Sequence, residues 1–285
     1  MKNFRILVVA ALALSLVASI LGGCSPAEPV NKLKVVTTTS LIAQIVERVG
    51  ENMVDVVNII PPAQCPGHFD VKPGDIQKLA DADLFLMHGW QGEKFSEELI
   101  ASANNSGLTV VKIDVKVDGN TNWMTPPVQK EAVDKITDAL SQVDSKNSAA
   151  YQKMAKILKT IIGTKWTELE GRLDSANPEN VKVICDEQQA GFVQWTGLNI
   201  VATFGRPDSL TPAVLKELLD KGREENVTLI IENLQSGHDA GVGIAEELGC
   251  KRITLSNFPG GFDNTETWEK AIDYNVHLIL EAIAQ

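Results

Sequence analysis

The chain lacks the short catalytic motifs that mark common enzyme classes. It has no G-x-S-x-G nucleophile elbow, no phosphate-binding P-loop and no H-E-x-x-H helix. Its glycine-rich stretch at Gly260-Gly261 is short and is typical of a turn. These absences predict that the chain is not an enzyme. A metal-dependent hydrolase is kept as a remote alternative, because a metal held by three protein ligands can activate water.

Basic residues and long apolar runs are also in short supply. The chain has 26 basic and 37 acidic residues, and removal of residues 1–23 would lower the net charge from −11 to −13 by taking away Lys2 and Arg5. Such an acidic balance argues against nucleic acid as a partner and suits an extracytoplasmic protein that collects cations. Beyond the N-terminal run, no second stretch is apolar enough to span a membrane.

The N-terminus predicts export and lipid attachment. Lys2 and Arg5 precede an apolar run over residues 6–21, which is shorter than the roughly 20 residues that a spanning helix needs. Leu21-Gly22-Gly23-Cys24 resembles the bacterial lipobox, so we expect cleavage before Cys24 and a lipid on its sulfur. Residues 1–23 are then a signal peptide and 24–32 a tether. An ordinary signal peptide or an uncleaved anchor is the alternative.

Cysteine is sparse for an exported chain. Four are present, and lipidation of Cys24 would leave an odd number: Cys65, Cys185 and Cys250. One disulfide bond would leave a free thiol, and the other interpretation is that some of these thiols are metal ligands. A disulfide between lobes would oppose hinge motion.

The rest of the chain alternates strand and helix patterns. Strands are predicted at 34–39, 54–60, 84–87, 108–113, 181–185, 199–203, 227–232 and 252–255. Helix patterns separate them, and residues 148–173 carry apolar residues at spacings of three and four over about 39 Å. The pattern predicts an α/β fold of two Rossmann-like parallel-sheet lobes joined by one long backbone helix. The predicted units are an N-terminal lobe at 33–145, a linking helix at 146–176 and a C-terminal lobe at 177–285.

Residues 61–75, PPAQCPGHFDVKPGD, follow the second strand and contain four prolines. Proline fixes φ, so this loop is expected to be stiff, and open α/β folds bind ligands at such strand ends. Cys65 and His68 both belong to residue types that bind borderline-soft metals. A histidine that only caps a backbone carbonyl is the alternative for His68.

The carboxyl ends of the other strands supply the remaining candidates across a cleft. The predicted metal ligands are His68, Cys65, Glu187, Cys185 and Glu232. The predicted pocket residues are His88, Trp90, Trp123, Asp186 and His238. Glu187 could instead be a helix N-terminal charge, His238 a cap residue, and the tryptophans lobe-interface packing. An aromatic wall would favour an organic ligand or a chelated metal.

Three stretches resemble the substrate-binding lipoproteins of zinc and manganese ABC importers: PPAQCPGHFDVKPGDIQKLADADLFLMHG, DALSQVDSKNSAAYQKMAKILKTI and GLNIVATFGRPDSLTPAVLKELLDKGREENVTLIIENLQ. The resemblance covers essentially the whole mature chain. It places His68 on a ligand position and His88 where the family has an asparagine. The chain departs from the family at three other ligand positions, where it has Asn122, Cys185-Asp186-Glu187 and Ser256-Asn257 with Asp263 further on. It also lacks the family's histidine-rich loop, having four histidines in all.

The resemblance implies a lipid-anchored extracytoplasmic protein on the periplasmic or outer face of the cell membrane. It would capture a transition metal in its cleft as a monomer and deliver it to a cognate permease and ATPase. Zinc is favoured by the mixture of cysteine, histidine and carboxylate, with manganese or another transition metal as alternatives. The main alternative keeps the importer role for a chelated metal or a small organic ligand. An adhesin, a label often attached to this family, is remote.

Overall fold

The structure, a computed structural model, describes residues 32–237 and 239–284. The predictions for the signal peptide, Cys24 and His238 lie outside the described residues. The strands are β1 (Leu33–Thr37), β2 (Val54–Asn58), β3 (Leu84–Met87), β4 (Thr109–Lys112), β5 (Lys182–Asp186), β6 (Asn199–Phe204), β7 (Leu229–Asn233) and β8 (Lys251–Leu255). The helices are α1 (Ser40–Gly50), α2 (Pro73–Ala80), α3 (Phe95–Ala103), α4 (Pro126–Val143), α5 (Ser148–Asp174), α6 (Ala190–Trp195), α7 (Pro212–Glu225), α8 (Val242–Leu248) and α9 (Trp268–Ile283).

The strands form two separate parallel sheets of the same topology. The first has the order β2-β1-β3-β4 and the second the order β6-β5-β7-β8. In each sheet the chain reverses its direction of winding beside the first strand, so a crevice opens between β1 and β3 and another between β5 and β7. The predicted α/β fold class, with two parallel sheets and a long helix between them, is confirmed. The predicted lobe boundaries stay predictions.

Strand β1 is shorter than the sequence pattern predicts. It ends at Thr37, and Thr39 already serves as the N-cap residue of α1 with an extended backbone. Strand β2 likewise ends at Asn58 rather than at residue 60, just before the prolines of the 61–75 loop. The first difference leaves the polar Thr38 and Thr39 beyond the end of β1, whereas the second leaves the buried, apolar Ile59 and Ile60 beyond the end of β2.

Helix α5 has 27 residues and therefore spans about 40 Å. It packs against α1, α4 and α9, and one continuous apolar core runs from β1 and β3 past α5 to β5 and β7. Tyr151, Leu158 and Ile162 of α5 are fully buried or nearly so. Ile157 and Ile161, which belong to the same set of apolar positions spaced three and four apart, are 43% and 40% exposed. Neighbouring apolar residues on this helix therefore lie on two faces, and only one of them meets the core.

Within residues 32–237 and 239–284, the structure contains no helix that is both long enough and apolar enough to cross a membrane.

Candidate functional site

The two crevices face each other and enclose a cavity of about 620 Å³. A single water occupies about 30 Å³ in the liquid, so the space exceeds that of a bare ion many times over. It falls within the range of about 300–1,000 Å³ that is typical of small-molecule pockets. The cavity is bounded by loops from both sheets, which makes it the candidate site.

Carboxamide side chains dominate the polar lining of this cavity. They come from the loops after the strands and from helix α6: Asn120, Asn122, Gln188, Gln194, Asn233, Gln235 and Asn257. Several of them also join the two halves of the molecule. Asn122 Nδ2 donates to the Gln188 carbonyl at 3.1 Å and to Asn257 Oδ1 at 3.0 Å, and Gln235 Nε2 donates to the Pro62 carbonyl at 2.8 Å. The sequence analysis named the loops that carry these residues but did not identify the carboxamides as a shared feature.

The proline-rich loop presents its sulfur and imidazole at the mouth of the cavity. Pro66–His68 forms a short 3-10 turn, and Cys65 caps it by accepting a hydrogen bond from the Gly67 amide at 3.3 Å. Cys65 is half-buried and lines the cavity, whereas His68 is exposed beside it. The turn therefore holds the two side chains close together, as their spacing in the sequence predicts.

Arg206, which the sequence analysis did not single out, extends from the second sheet to both of these residues. It follows β6, and its guanidinium donates from Nη2 to Cys65 Sγ and from Nη1 to His68 Nε2, the latter at 3.0 Å. Gly67 permits this approach, because a Cβ at that position would lie 3.1 Å from Arg206 Nη2. Nothing near Arg206 in the sequence marks it as a partner of Cys65 and His68. It could be identified only once the fold placed the loop after β6 opposite the Cys-x-x-His turn.

Two carboxylates lie at the carboxyl end of β5, on the same side of the cleft as Arg206: Asp186 ends the strand and Glu187 follows it. Glu187 is exposed and lines the cavity. Asp186 is buried, and its Oδ1 accepts a hydrogen bond from the Gln188 amide at 2.7 Å. Burial raises the pKa of Asp186 to about 6, although the Gln188 amide and the Arg206 charge act in the opposite direction. Glu187 is thus the carboxylate that faces the cavity, as the sequence analysis expects.

Cys185 and Glu232 lie away from the cavity. Cys185 is fully buried in the apolar core, where burial and the neighbouring Asp186 raise the pKa of its thiol to about 12. Glu232 is 1% exposed and accepts hydrogen bonds from the Gly241 amide at 2.8 Å and from Thr254 Oγ1 at 3.1 Å. It also forms an ion pair with Arg252. The partners of Glu232 on β8 explain its burial without a metal, and the structure does not bring it or Cys185 to Cys65 and His68.

An aromatic stack forms the wall on the side of the first sheet. Trp90 and Trp123 line the cavity, and His88 lies 97% buried between them. The imidazole of His88 is parallel to the Trp90 indole at a centroid distance of 3.6 Å and meets Trp123 edge-on at 4.4 Å. Thr39 Oγ1 lies 2.7 Å from His88 Nε2, and burial holds the pKa of His88 well below its usual value. His88 is therefore a neutral support for the indoles rather than part of the cavity surface.

The predicted ligand set is only partly assembled. Cys65, His68 and Glu187 lie around the cavity mouth, but no group of three or more His, Cys, Asp or Glu side chains is arranged to hold a metal ion within residues 32–237 and 239–284. Cys65, Cys185 and Cys250 are all free thiols in this part of the chain.

Comparison with known proteins gives consistent matches over nearly the whole chain. Residues 35–282 match the family described as the periplasmic zinc-uptake complex component A, ZnuA. The manganese-binding lipoprotein MntA of Halalkalibacterium halodurans is 28% identical over 304 residues, covering 99% of this chain and 98% of the relative. The manganese ABC transporter substrate-binding lipoprotein PsaA of Streptococcus mitis is 23% identical over 322 residues, covering 100% of both chains.

A solved structure shares the fold. The Mn-bound periplasmic metal binding protein from Candidatus Liberibacter asiaticus superposes with a TM-score of 0.75 at 17% sequence identity. The superposition covers 88% of this chain and 100% of that one.

Proposed function

Because the chain belongs to the family of periplasmic zinc-uptake components, we propose that it is the extracytoplasmic subunit that captures a transition metal, preferably zinc, for an ABC importer. The metal would bind at the mouth of the cavity between the two sheets. Family members are substrate-binding proteins rather than enzymes, and we assign this chain no reaction.

The observation that carries this proposal is the convergence of Cys65 Sγ and His68 Nε2 on one cationic group. Both atoms accept hydrogen bonds from the Arg206 guanidinium, so the lone pairs of both are directed towards the same region. Thiolate sulfur and imidazole nitrogen suit zinc better than manganese, which prefers oxygen ligands. The donors of this chain therefore favour zinc, even though the relatives named above are described as manganese-binding.

A third donor would come from the opposite side of the cleft. Glu187 is exposed at the cavity, on the loop after β5, while Cys65 and His68 belong to the loop after β2. A metal bound by all three would link the two sheets. Closure around a bridging metal is the kind of domain rearrangement that a permease can sense.

The same proposal places the protein in its cellular context. A lipid on Cys24 would anchor it to the membrane on the extracytoplasmic side, and residues 24–32 would tether the folded part. Its partners would be the cognate permease and ATPase, and we propose that it acts as a monomer.

Native mass spectrometry of the purified protein, without added chelator, tests direct capture. We expect a mass excess of one zinc ion that is lost on acidification and is absent from His68→Ala. His277→Ala is the matched control, because His277 is an exposed histidine like His68 but lies on α9 beside Glu281. Retention of the metal by His68→Ala would refute the assignment of this histidine.

The cavity itself supports a second candidate, a chelated metal or a small organic ligand. Its volume of about 620 Å³ and its carboxamide lining suit a polar molecule. Trp90 supplies a flat apolar surface, with Phe258 parallel to it within 12° at a centroid distance of 6.4 Å. A mass excess larger than one metal ion, lost in Trp90→Ala, would favour this cargo over a bare ion.

A further inference from the structure

Arg206 occupies the lone pairs that a metal would need. A guanidinium has donors but no acceptor, so the 3.0 Å contact with Nη1 requires His68 Nε2 to act as the acceptor. The neutral imidazole then carries its proton on Nδ1. The second guanidinium nitrogen, Nη2, donates to Cys65 Sγ in the same way. Both of the donor atoms that define the proposed metal site are therefore satisfied by one side chain.

The contact also crosses the cleft. Cys65 and His68 follow β2 of the first sheet, whereas Arg206 follows β6 of the second. The backbone of Arg206 is fixed by a turn, since its carbonyl accepts hydrogen bonds from the Ser209 amide at 2.9 Å and from Ser209 Oγ at 2.7 Å. The long side chain, and not the backbone, is thus the part that can leave the donors.

A divalent cation and the guanidinium exclude each other at this position. They require the same lone pairs, and their charges repel at short distance. On its own sheet Arg206 has the buried Asp186 carboxylate close enough for its charge to lower the pKa of that group. A displaced guanidinium would therefore keep a favourable electrostatic environment without Cys65 or His68.

We propose that Arg206 is an affinity-determining residue that competes, within the molecule, with the cargo metal for Cys65 and His68. This inference rests on the proposed capture of a metal at these two residues. The metal-free protein is held with the arginine across the cleft, and metal binding releases that contact. The apparent dissociation constant is then the intrinsic one divided by the fraction of molecules in which the donors are free.

An intramolecular competitor of this kind raises the apparent dissociation constant of every divalent metal by the same factor. The free-energy cost of displacing Arg206 does not depend on which ion displaces it. Removal of the Arg206 side chain should therefore lower the dissociation constants for zinc and for manganese by the same factor. A residue that recognised the cargo directly would instead change the ratio of the two affinities. The displaced guanidinium gives up two hydrogen bonds at a site that is open to water, and solvent recovers most of their strength. Loss of the competitor is therefore expected to tighten binding roughly ten- to a hundredfold.

The test is calorimetric titration of the full-length protein, purified in detergent and stripped of metal, with zinc and separately with manganese. Arg206→Met should lower both dissociation constants by the same factor, and Arg206→Met combined with His68→Ala should lose the gain. Arg223→Met is the matched control, because Arg223 is exposed on α7 and pairs with Asp220 of the same helix and with Glu247 of α8. It should bind as the unaltered protein does.

The outcomes separate this inference from the function on which it rests. If the unaltered protein binds zinc through His68 but Arg206→Met binds zinc no more tightly, the role of Arg206 as a competitor is refuted. The proposed capture of a metal at Cys65 and His68 is then still supported. If Arg206→Met binds zinc more weakly, Arg206 recognises the cargo instead. If neither the unaltered protein nor Arg206→Met retains zinc or manganese, the metal site at Cys65 and His68 is refuted, and the competitor with it. Tighter zinc binding that survives His68→Ala would also refute the competitor.

Discussion

Arg48 of helix α1 and Glu269 of helix α9 form an ion pair in which one guanidinium nitrogen lies 2.6 Å from one carboxylate oxygen and 2.7 Å from the other. The side chains are 27% and 16% exposed, so the pair is only partly accessible to water. It ties the first helix of the described chain, which follows β1 of the first sheet, to the last helix, which follows β8 of the second. Its contribution to the free energy of unfolding therefore reports on the contact between these two helices.

We predict that Arg48→Met lowers the free energy of unfolding by about 1 kcal/mol, because a partly buried ion pair contributes more than an exposed one. A double-mutant cycle with Glu269→Gln, measured by urea denaturation, should give a favourable coupling energy that decreases with added salt. Lys216→Met is the control, since the Lys216–Asp220 pair is 77% and 56% exposed. A coupling energy indistinguishable from zero would show that the Arg48–Glu269 pair does not stabilise the fold.

Glu93 should make stability depend on pH. It is 2% exposed, its Oε2 accepts a hydrogen bond from the Gly89 amide at 2.7 Å, and burial raises its pKa above the usual 4.5. The folded state therefore binds a proton more tightly than the unfolded state, so this residue lowers stability as the pH rises from 4.5 through the folded pKa. Glu93→Gln should raise the free energy of unfolding at pH 7 by roughly 1–2 kcal/mol.

That gain should disappear below pH 4, where the carboxyl is protonated in both states. Urea denaturation at the two pH values measures it. Glu97→Gln, at an exposed position of α3, should change stability little at either pH. An equal gain at both pH values would mean that packing, and not the charge, is responsible.

Glu232 and Glu187 should respond in opposite ways to the same substitution. Glu232 is buried with Arg252, Thr254 and the Gly241 amide as partners, so Glu232→Ala should destabilise the fold by about 2–4 kcal/mol. Zinc binding by the protein that remains folded should be unchanged. Glu187→Ala should leave the free energy of unfolding within about 0.5 kcal/mol of the original, as for most surface positions, but weaken zinc binding. If Glu232→Ala weakened zinc binding and Glu187→Ala did not, Glu232 and not Glu187 would be the metal ligand.

The thiols should differ in their reactivity. Cys185 is fully buried and its pKa is raised to about 12, so it should resist iodoacetamide in the folded protein and react once the chain is unfolded. Cys65 is half-buried at the cavity mouth and should react in the folded, metal-free protein. Mass spectrometry of the alkylated peptides measures both, and prior addition of zinc should protect Cys65. Rapid modification of Cys185 without unfolding would contradict its place in the core.

The alternation of strand and helix patterns was sufficient to predict the fold class, because apolar periodicity depends on local geometry and on burial alone. The family, predicted from the resemblance of three stretches, is confirmed. Periodicity locates an apolar stripe but does not say which part of it a neighbouring element covers, as the exposure of Ile157 and Ile161 shows.

The site was less accessible to sequence reasoning. Glu232 ends a buried strand and has a residue type that binds metals, but its partners on β8 are about twenty positions away in the sequence. Cys185 precedes the cavity-lining Glu187 by two positions and nevertheless faces the core. Asn122 and Asn257 stand at positions where the chain departs from the ligands of the family that it resembles, and the two side chains hydrogen-bond to each other across the cleft.

The sequence by itself determined the order of strands and helices, the stiff Cys-x-x-His loop and the family, because each of these depends on residues that are close together in the chain. Only the tertiary structure decided that Arg206, 138 positions beyond His68, lies against both donors of that loop. Contacts between distant segments depend on how two sheets pack around α5, and no local pattern specifies that packing. The charge balance at the mouth of the cavity is therefore a property of the folded molecule.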